Sequence, residues 1–267
     1  MNLSQQIKQL ENVKKESDNK VLTMYLNTDP SDAEQQAGEW KIHLKNGLRN
    51  FESYLQEDNN QEELKNFRSV KEKVEEFVHH NEQHFKKSII LFATAAEDVW
   101  FADRFQMPVR TEFFWEEVPR LEQLKERREE YPKSGIILVQ KDEIKVIEAY
   151  LNEILNTEYY KLDIDTEKWR QFTGPHQADA SMGSGGKSAQ RDKFNARYEA
   201  NKQRWYKNIA PKLDKKAKDQ GWDNLYVVGE PGEAPDLEEE LNKPVTQIIQ
   251  KNLLDHEESK VLEEIFG

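Results

Sequence analysis

Residues 174–218 read GPHQADASMGSGGKSAQRDKFNARYEANKQRWYKNIAPKLDKKAK, a loop of small and polar residues that turns into a helix-forming run. The run is dense in base: Lys187, Arg191, Lys193, Arg197, Lys202, Arg204, Lys207, Lys212, Lys215, Lys216 and Lys218, opposed only by Asp192, Glu199 and Asp214. Phe194, Tyr198, Trp205, Ile209 and Leu213 form an apolar row along it, so the helix is expected to bury that row against a sheet and turn its bases outward. Pro211 is expected to kink or break it, because proline removes a backbone donor and crowds the preceding turn. The chain as a whole carries a net charge of −12, which argues against non-specific nucleic-acid binding by the whole surface. Screening acts over about 8–10 Å, however, so a local basic stripe behaves independently of distant acid.

Strand signals flank this segment. Gly135-Ile-Ile-Leu-Val-Gln140, a Lys-Asp-Glu turn and Ile144-Lys-Val-Ile-Glu-Ala-Tyr150 predict a β-hairpin, and Tyr159–Ile164 alternates in polarity. Leu225–Gly229 predicts a further strand, Leu237–Leu241 a short helix, Val245–Ile249 a strand or helix, and Ser259–Phe266 a last helix. Upstream, residues 1–18 carry Leu3, Ile7, Leu10 and Val13 at helical spacing, and Val21–Leu26 is a short β-rich run. Two helices follow, with Trp40, Leu44, Leu48, Phe51 and Leu55 on one and Leu64, Phe67, Val70, Val74 and Phe77 on the other, joined by a polar, acidic connection at Gln56–Glu63. Ser88–Thr94, Val99–Ala102 and Phe113–Trp115 read as strands. The charged run from Lys125 to Gly135 marks a boundary. The expected fold class is α/β, with α+β character in the first half. Two domains are expected, 1–130 and 131–267, each a mixed sheet packed with helices, the second carrying the long basic helix after the glycine loop.

The 267 residues suffice for one large or two ordinary domains. Charged residues make up 34% of the chain, but 6 Trp, 9 Tyr and 12 Phe are too many for a disordered one. The absence of cysteine excludes disulfides and thiolate zinc sites and fits a cytoplasmic protein. The N-terminus has no apolar run of the signal-peptide kind, and no stretch approaches the ~20 apolar residues of a membrane span.

Among candidate sites, Gly183-Ser-Gly-Gly-Lys-Ser188 resembles a phosphate loop, but the pattern requires glycine where Ser181 stands and a strand where Pro175–Ala180 stands. A nucleotide binder is therefore the weakest reading. His79, His80 and His84 lie near a helix end and read as a solvated terminus; no metal or cofactor is expected. Acid pairs such as Glu116-Glu117 read as solvated faces. The plain reading of the glycine loop is a surface linker. Against it stands the joint pattern of a double glycine, a small hydroxyl and a basic amphipathic helix.

Gly185-Gly186-Lys187-Ser188-Ala189-Gln190-Arg191 resembles the Gly-Gly-Gln-Ser-Ala-Leu-Arg signature of archaeal and eukaryotic class I peptide release factors, and an Arg- and aromatic-rich helix follows it, as in that family. The hairpin from Gly135 and the strand at Leu225–Gly229 stand where the family's middle domain has them, and the first half is similar in outline to its N-terminal domain. More closely, the chain is similar to the bacterial relatives of these factors. Three departures stand out. The family's Gln is Lys187 here; the Asn-Ile-Lys-Ser loop used at the stop codon is absent, its counterpart near Gln56–Glu63 being acidic; and the domain that docks a partner GTPase is expected to be missing.

The resemblance implies a ribosome-directed, codon-independent hydrolase of the ester in peptidyl-tRNA, with rRNA and peptidyl-tRNA as partners. Gly185, Gly186 and Lys187 would carry the chemistry. Ser188, Gln190, Arg191, Lys193, Arg197, Lys202 and Arg204 would hold RNA. The alternative is a non-catalytic factor that occupies the ribosomal tRNA site under stress.

Overall fold

The computed structural model describes residues 3–16, 18–35, 38–58, 60–163, 166–172, 174 and 187–267, and for residues 3, 4, 34 and 187–195 the backbone alone. The chain is mixed α/β with two sheets and divides into two compact units, Met1–Glu130 and Tyr131–Gly267.

The first unit is a four-stranded antiparallel sheet in the order β3-β2-β1-β4, formed by β1 (Val21–Asn27), β2 (Ser88–Ala93), β3 (Trp100–Phe105) and β4 (Glu112–Glu116). Period-two alternation sends Leu22, Met24, Leu26, Ile89 and Leu91 to one face, where α2 (Trp40–Glu57) and α3 (Gln61–Asn81) bury Leu44, Leu48, Leu55, Leu64, Phe67, Val70 and Val74 against them. The opposite face is held by the segment after β4: Tyr25 Oη donates to the Arg120 carbonyl (2.7 Å), and Thr23 Oγ1 accepts from the Arg120 N–H (3.1 Å).

The expected connection Gln56–Glu63 is mostly helix. α2 runs to Glu57 and α3 restarts at Gln61, because Asn60 caps it by accepting from the Glu63 N–H at 3.2 Å. Glu63 turns inward rather than toward solvent; its carboxylate accepts from Trp115 Nε1 (2.8 Å) and pairs with Lys20 (2.7 Å). Two other expectations change here. The helix expected over residues 1–18 is α1 (Leu3–Glu11), which ends where Asn12 Nδ2 donates to the Lys8 carbonyl. Part of the charged run from Lys125 is α4 (Glu122–Glu130), tied by Lys125–Glu11 and Arg127–Glu130 pairs.

The second unit is a six-stranded sheet in the order β10-β9-β5-β6-β7-β8. β5 (Ser134–Gln140), β6 (Glu143–Tyr150), β7 (Glu153–Asp163) and β8 (Lys168–Phe172) form an antiparallel meander. Lys141 takes the left-handed conformation (φ 50°) in the β5–β6 turn. α5 (Lys187–Gln220) then carries the chain back to β9 (Asn224–Gly229), which joins β5 in parallel; α6 (Ala234–Glu238) leads to β10 (Gln247–Ile249), parallel to β9, and α7 (Glu258–Phe266) closes the unit. β5 is buried on both faces, which is why Ile136-Ile-Leu-Val139 is an unbroken apolar run. On one face Ile137, Val139, Val146 and Tyr160 meet Tyr206, Ile209, Leu213 and Ala217 of α5; on the other Ile136, Leu138 and Ile147 meet Val261 and Leu262 of α7.

β8 was not expected from the sequence; its KWRQF is short, polar and at the sheet edge. α6 lies three residues upstream of the helix expected at Leu237–Leu241. Nor does Pro211 break α5, whose 34 residues span about 51 Å at 1.5 Å per residue. Pro211 and Lys207 both lie on the exposed side of α5, where water can replace the bond that proline removes.

Candidate functional site

α5 is positioned by its inner face. Tyr198, Trp205, Tyr206, Ile209 and Leu213 are each no more than 2% exposed. At about 1.5–3 kcal/mol for each large apolar side chain fully buried, that row outweighs any weak helix propensity. The Tyr198 and Tyr206 hydroxyls lie 2.6 Å apart, and burial pushes both phenols well above the ordinary range, so both stay neutral. Trp169 Nε1 of β8 donates to the Trp205 carbonyl at 3.0 Å, tying the last meander strand to the helix. The sequence reading found Trp205 but missed Tyr206 and Trp169. Tyr206 was legible as the start of a second row, 206–210–213–217, at helical spacing.

The bases of α5 fall into three groups. Lys202, Lys212 and Lys216 are used within the fold. Lys202 Nζ donates to the Gly232 carbonyl (2.9 Å) and pairs with Asp236 (2.7 Å), which raises its pKa; its side chain is 19% exposed. Lys216 pairs with Glu158 (2.7 Å), and Lys212 lies over the Tyr160 ring (4.5 Å). Lys202 was expected to hold phosphate, and in the structure its ammonium ties α5 to Gly232 and to Asp236 of α6. Arg197 and Arg204 both pair with the carboxylate of Glu167 (3.7 and 2.8 Å), with Arg204 also donating to Asn201 Oδ1 at 2.9 Å. Both guanidiniums are well exposed, at 44% and 55%. Exposed pairs of this kind contribute about 0–1 kcal/mol, so a phosphate can displace them. Lys207, Lys215 and Lys218 are exposed and have no carboxylate partner among the described residues.

Positions 190, 193, 197, 201 and 204 fall on one line along α5 by helical periodicity. That line joins the backbone positions of Gln190 and Lys193 to Arg197 and Arg204. α5 begins at Lys187, whose N–H is therefore among the helix's first donors and has no acceptor within the helix. Gly185 and Gly186 lie outside the described residues, as do the side chains of Lys187, Ser188, Gln190, Arg191, Lys193 and Phe194. The phosphate-loop pattern at Gly183–Ser188 also falls mostly outside them.

Behind the arm, Glu233 is 7% exposed and has one carboxylate oxygen without a hydrogen-bond partner. Burial pushes its pKa up, opposed by a hydrogen bond from the Lys141 backbone. Among the described residues no helix is long and apolar enough to cross a membrane.

Residues 132–267, the stretch that carries the glycine loop and α5, match the family model described as bacterial archaeo-eukaryotic release factor family 5. Over 259 residues, 97% of this chain, the sequence is 34% identical to an uncharacterized protein of Bacillus subtilis (strain 168), YocB, and covers 96% of it. The chain belongs to the bacterial archaeo-eukaryotic release factor family. It is a bacterial relative of the class I release factors, with Gly-Gly-Lys where their signature has Gly-Gly-Gln. Two solved structures are similar over 98% of the chain and 72% of their own length. One is an archaeal protein (11% identical, TM-score 0.34) and the other the archaeal translation termination factor aRF1 (12% identical, TM-score 0.35).

Proposed function

We propose that this release-factor-like protein acts on the ribosome independently of the codon and hydrolyses the ester that joins a nascent peptide to tRNA. Residues 1–130 would serve as its N-terminal release-factor-like domain and residues 131–267 as its middle domain. The observation that carries the reading is the start of α5 at Lys187, directly behind Gly185-Gly186, on a helix whose exposed side is basic. Adjacent glycines let backbone enter a narrow RNA-walled site at little steric cost. Water attacks the ester carbonyl; the tetrahedral oxyanion accepts from the Lys187 N–H, at the positive end of the helix dipole. Collapse breaks the acyl–oxygen bond, the tRNA ribose oxygen takes a proton, and the peptide leaves with a free carboxyl group. One preorganised donor contributes about 10²–10³ in rate. RNA would orient the water, so the protein need supply no general base. Gln190, Arg191, Lys193, Arg197 and Arg204, with Ser188 at the first turn, would hold phosphates, and Lys202 would fix the arm to its unit. Such contacts position without reading sequence and weaken as salt rises.

Independence from the codon is supported at the α2–α3 turn, where Glu57, Asp58 and Glu62 are exposed acids in place of the family's Asn-Ile-Lys-Ser. The test is release of labelled peptide from ribosomes stalled on a sense codon or on a stop codon. Equal release from both supports the reading; release at the stop codon alone contradicts it. One observation favours a second reading, occupation of the tRNA site without cleavage: Lys187 replaces the family's Gln with a hydrated point charge that has no acceptor. That reading predicts salt-sensitive co-sedimentation with ribosomes, no release by the wild type, and a gain of release in Lys187→Gln.

A further inference from the structure

The face of the six-stranded sheet opposite α5 holds a cleft of about 230 Å³ between β6, β7, the end of β8 and the chain entering α7. Lys145, Tyr159 and Phe172 form one rung across this face: Lys145 is paired in register with Tyr159, and Tyr159 with Phe172. Lys145 is 4% exposed, and its ammonium is fully occupied. It donates to the His256 carbonyl (2.8 Å), pairs with Glu258 (2.9 Å) and lies 5.7 Å from the centre of the Tyr159 ring. Tyr159 Oη donates to the same Glu258 carboxylate at 3.0 Å, and burial with that contact pushes the phenol up to about 12. Glu143 is matched by Lys161 at 2.9 Å. The charges within the cleft therefore cancel in pairs.

Two lining charges are left over. Asp255 and Glu257 are exposed and have no ion-pair partner among the described residues. Their uncompensated charge makes the cleft unfavourable for phosphate and favourable for a cation. The lining agrees: Tyr159 already faces one ammonium, and Phe172, 37% exposed, adds a second ring to the wall. Aromatic faces beside carboxylates hold a guanidinium or ammonium group by cation–π and ionic attraction together. Size narrows the ligand further. The cleft is smaller than the ~300–1,000 Å³ typical of small-molecule sites, so it admits one long side chain rather than a nucleotide.

We propose that this cleft receives an arginine or lysine side chain from a basic segment of a protein partner. The two faces of the second unit then have opposite clients, RNA on the α5 face and a basic protein on the α7 face. The proposal does not depend on ester hydrolysis. Phe172 ends β8, two residues before Gly174, so the partner would engage the strand from which the glycine loop departs.

The test is fluorescence anisotropy of the full chain with a labelled hexa-arginine peptide at physiological salt. Asp255→Asn/Glu257→Gln is expected to weaken binding about tenfold. Glu57→Gln/Glu62→Gln, which removes the same charge from the first unit, is expected to leave it within about twofold. Phe172→Leu keeps apolar bulk without the ring and should weaken binding several-fold if the aromatic face contributes. Resonances of Tyr159 and Phe172 should shift on adding N-acetyl-arginine amide. Equal loss in the two charge variants, no binding by the wild type, or a labelled oligonucleotide that is itself displaced by the Asp255/Glu257 change would overturn the proposal.

Discussion

The two faces of the six-stranded sheet are built from the same strands and differ in what they do with charge. On the α5 face, Arg197 and Arg204 both meet Glu167, and Lys207, Lys215 and Lys218 meet no carboxylate among the described residues. On the α7 face, paired charges cancel and Asp255 and Glu257 remain. A net charge of −12 describes neither face. Alternation along β6 and β7 is what separates them, since Ile144, Val146 and Tyr160 point one way while Lys145, Tyr159 and Lys161 point the other. Binding chemistry in such a chain has to be assigned face by face.

Removing the apolar anchor of the α5 face should have the largest effect. Trp205→Ala deletes a side chain 1% exposed and should cost about 3–5 kcal/mol in urea denaturation, destabilising the seat of the arm. Next comes the contact between β5 and the turn that joins α5 to β9. A Cβ on Gly135 would stand 2.0 Å from the Trp222 ring, so Gly135→Ala should cost about 1–3 kcal/mol, read by the same titration. Charge on the exposed side tests function rather than folding. Arg197→Glu/Arg204→Glu should leave the denaturation midpoint nearly unchanged, lower ribosome co-sedimentation about tenfold or more, and flatten its salt dependence. An unchanged salt dependence would mean that these arginines do not contact phosphate.

The smallest effect has a sign set by linkage. Burial raises the pKa of Glu233 in the folded state, so the folded protein binds that proton more tightly than the unfolded chain. The resulting stability is present below the unfolded carboxylate range and is lost as pH rises through the folded value. Glu233→Gln should therefore raise the melting temperature, and more at about pH 8 than at about pH 5. A rise of the same size at both would show that Glu233 is not titrating in this range.

The sequence made the strong periodicities legible. Leu44–Leu48–Leu55, Ile136–Val139 and Tyr198–Trp205–Ile209 are buried rows that form the elements expected of them. Elements held by partners distant in sequence were less visible. β8 depends on pairing with β7 and on the Trp169–Trp205 bond, neither of which leaves a pattern in KWRQF. α4 is anchored by buried Leu124 and by Gln123, whose side chain bonds the Arg110 backbone, and neither leaves a periodic pattern, so its charged run looked like a linker. Pro211 carried a local rule that solvent exposure relaxed. The candidate site was visible as a motif and a charge stripe. The division of labour among its bases was not, because whether Lys202 faces phosphate or Asp236 is decided by α6, more than thirty residues away.

The central claim is that the glycine tip of a basic arm cleaves peptidyl-tRNA, and it is tested most directly by measuring peptide release and ribosome co-sedimentation together. The proposed mechanism predicts release by the wild-type protein, and loss of that release in Gly185→Ala/Gly186→Ala with co-sedimentation retained. Wild-type protein that binds ribosomes and releases no peptide, or a glycine variant that releases it at the wild-type rate, would contradict the claim.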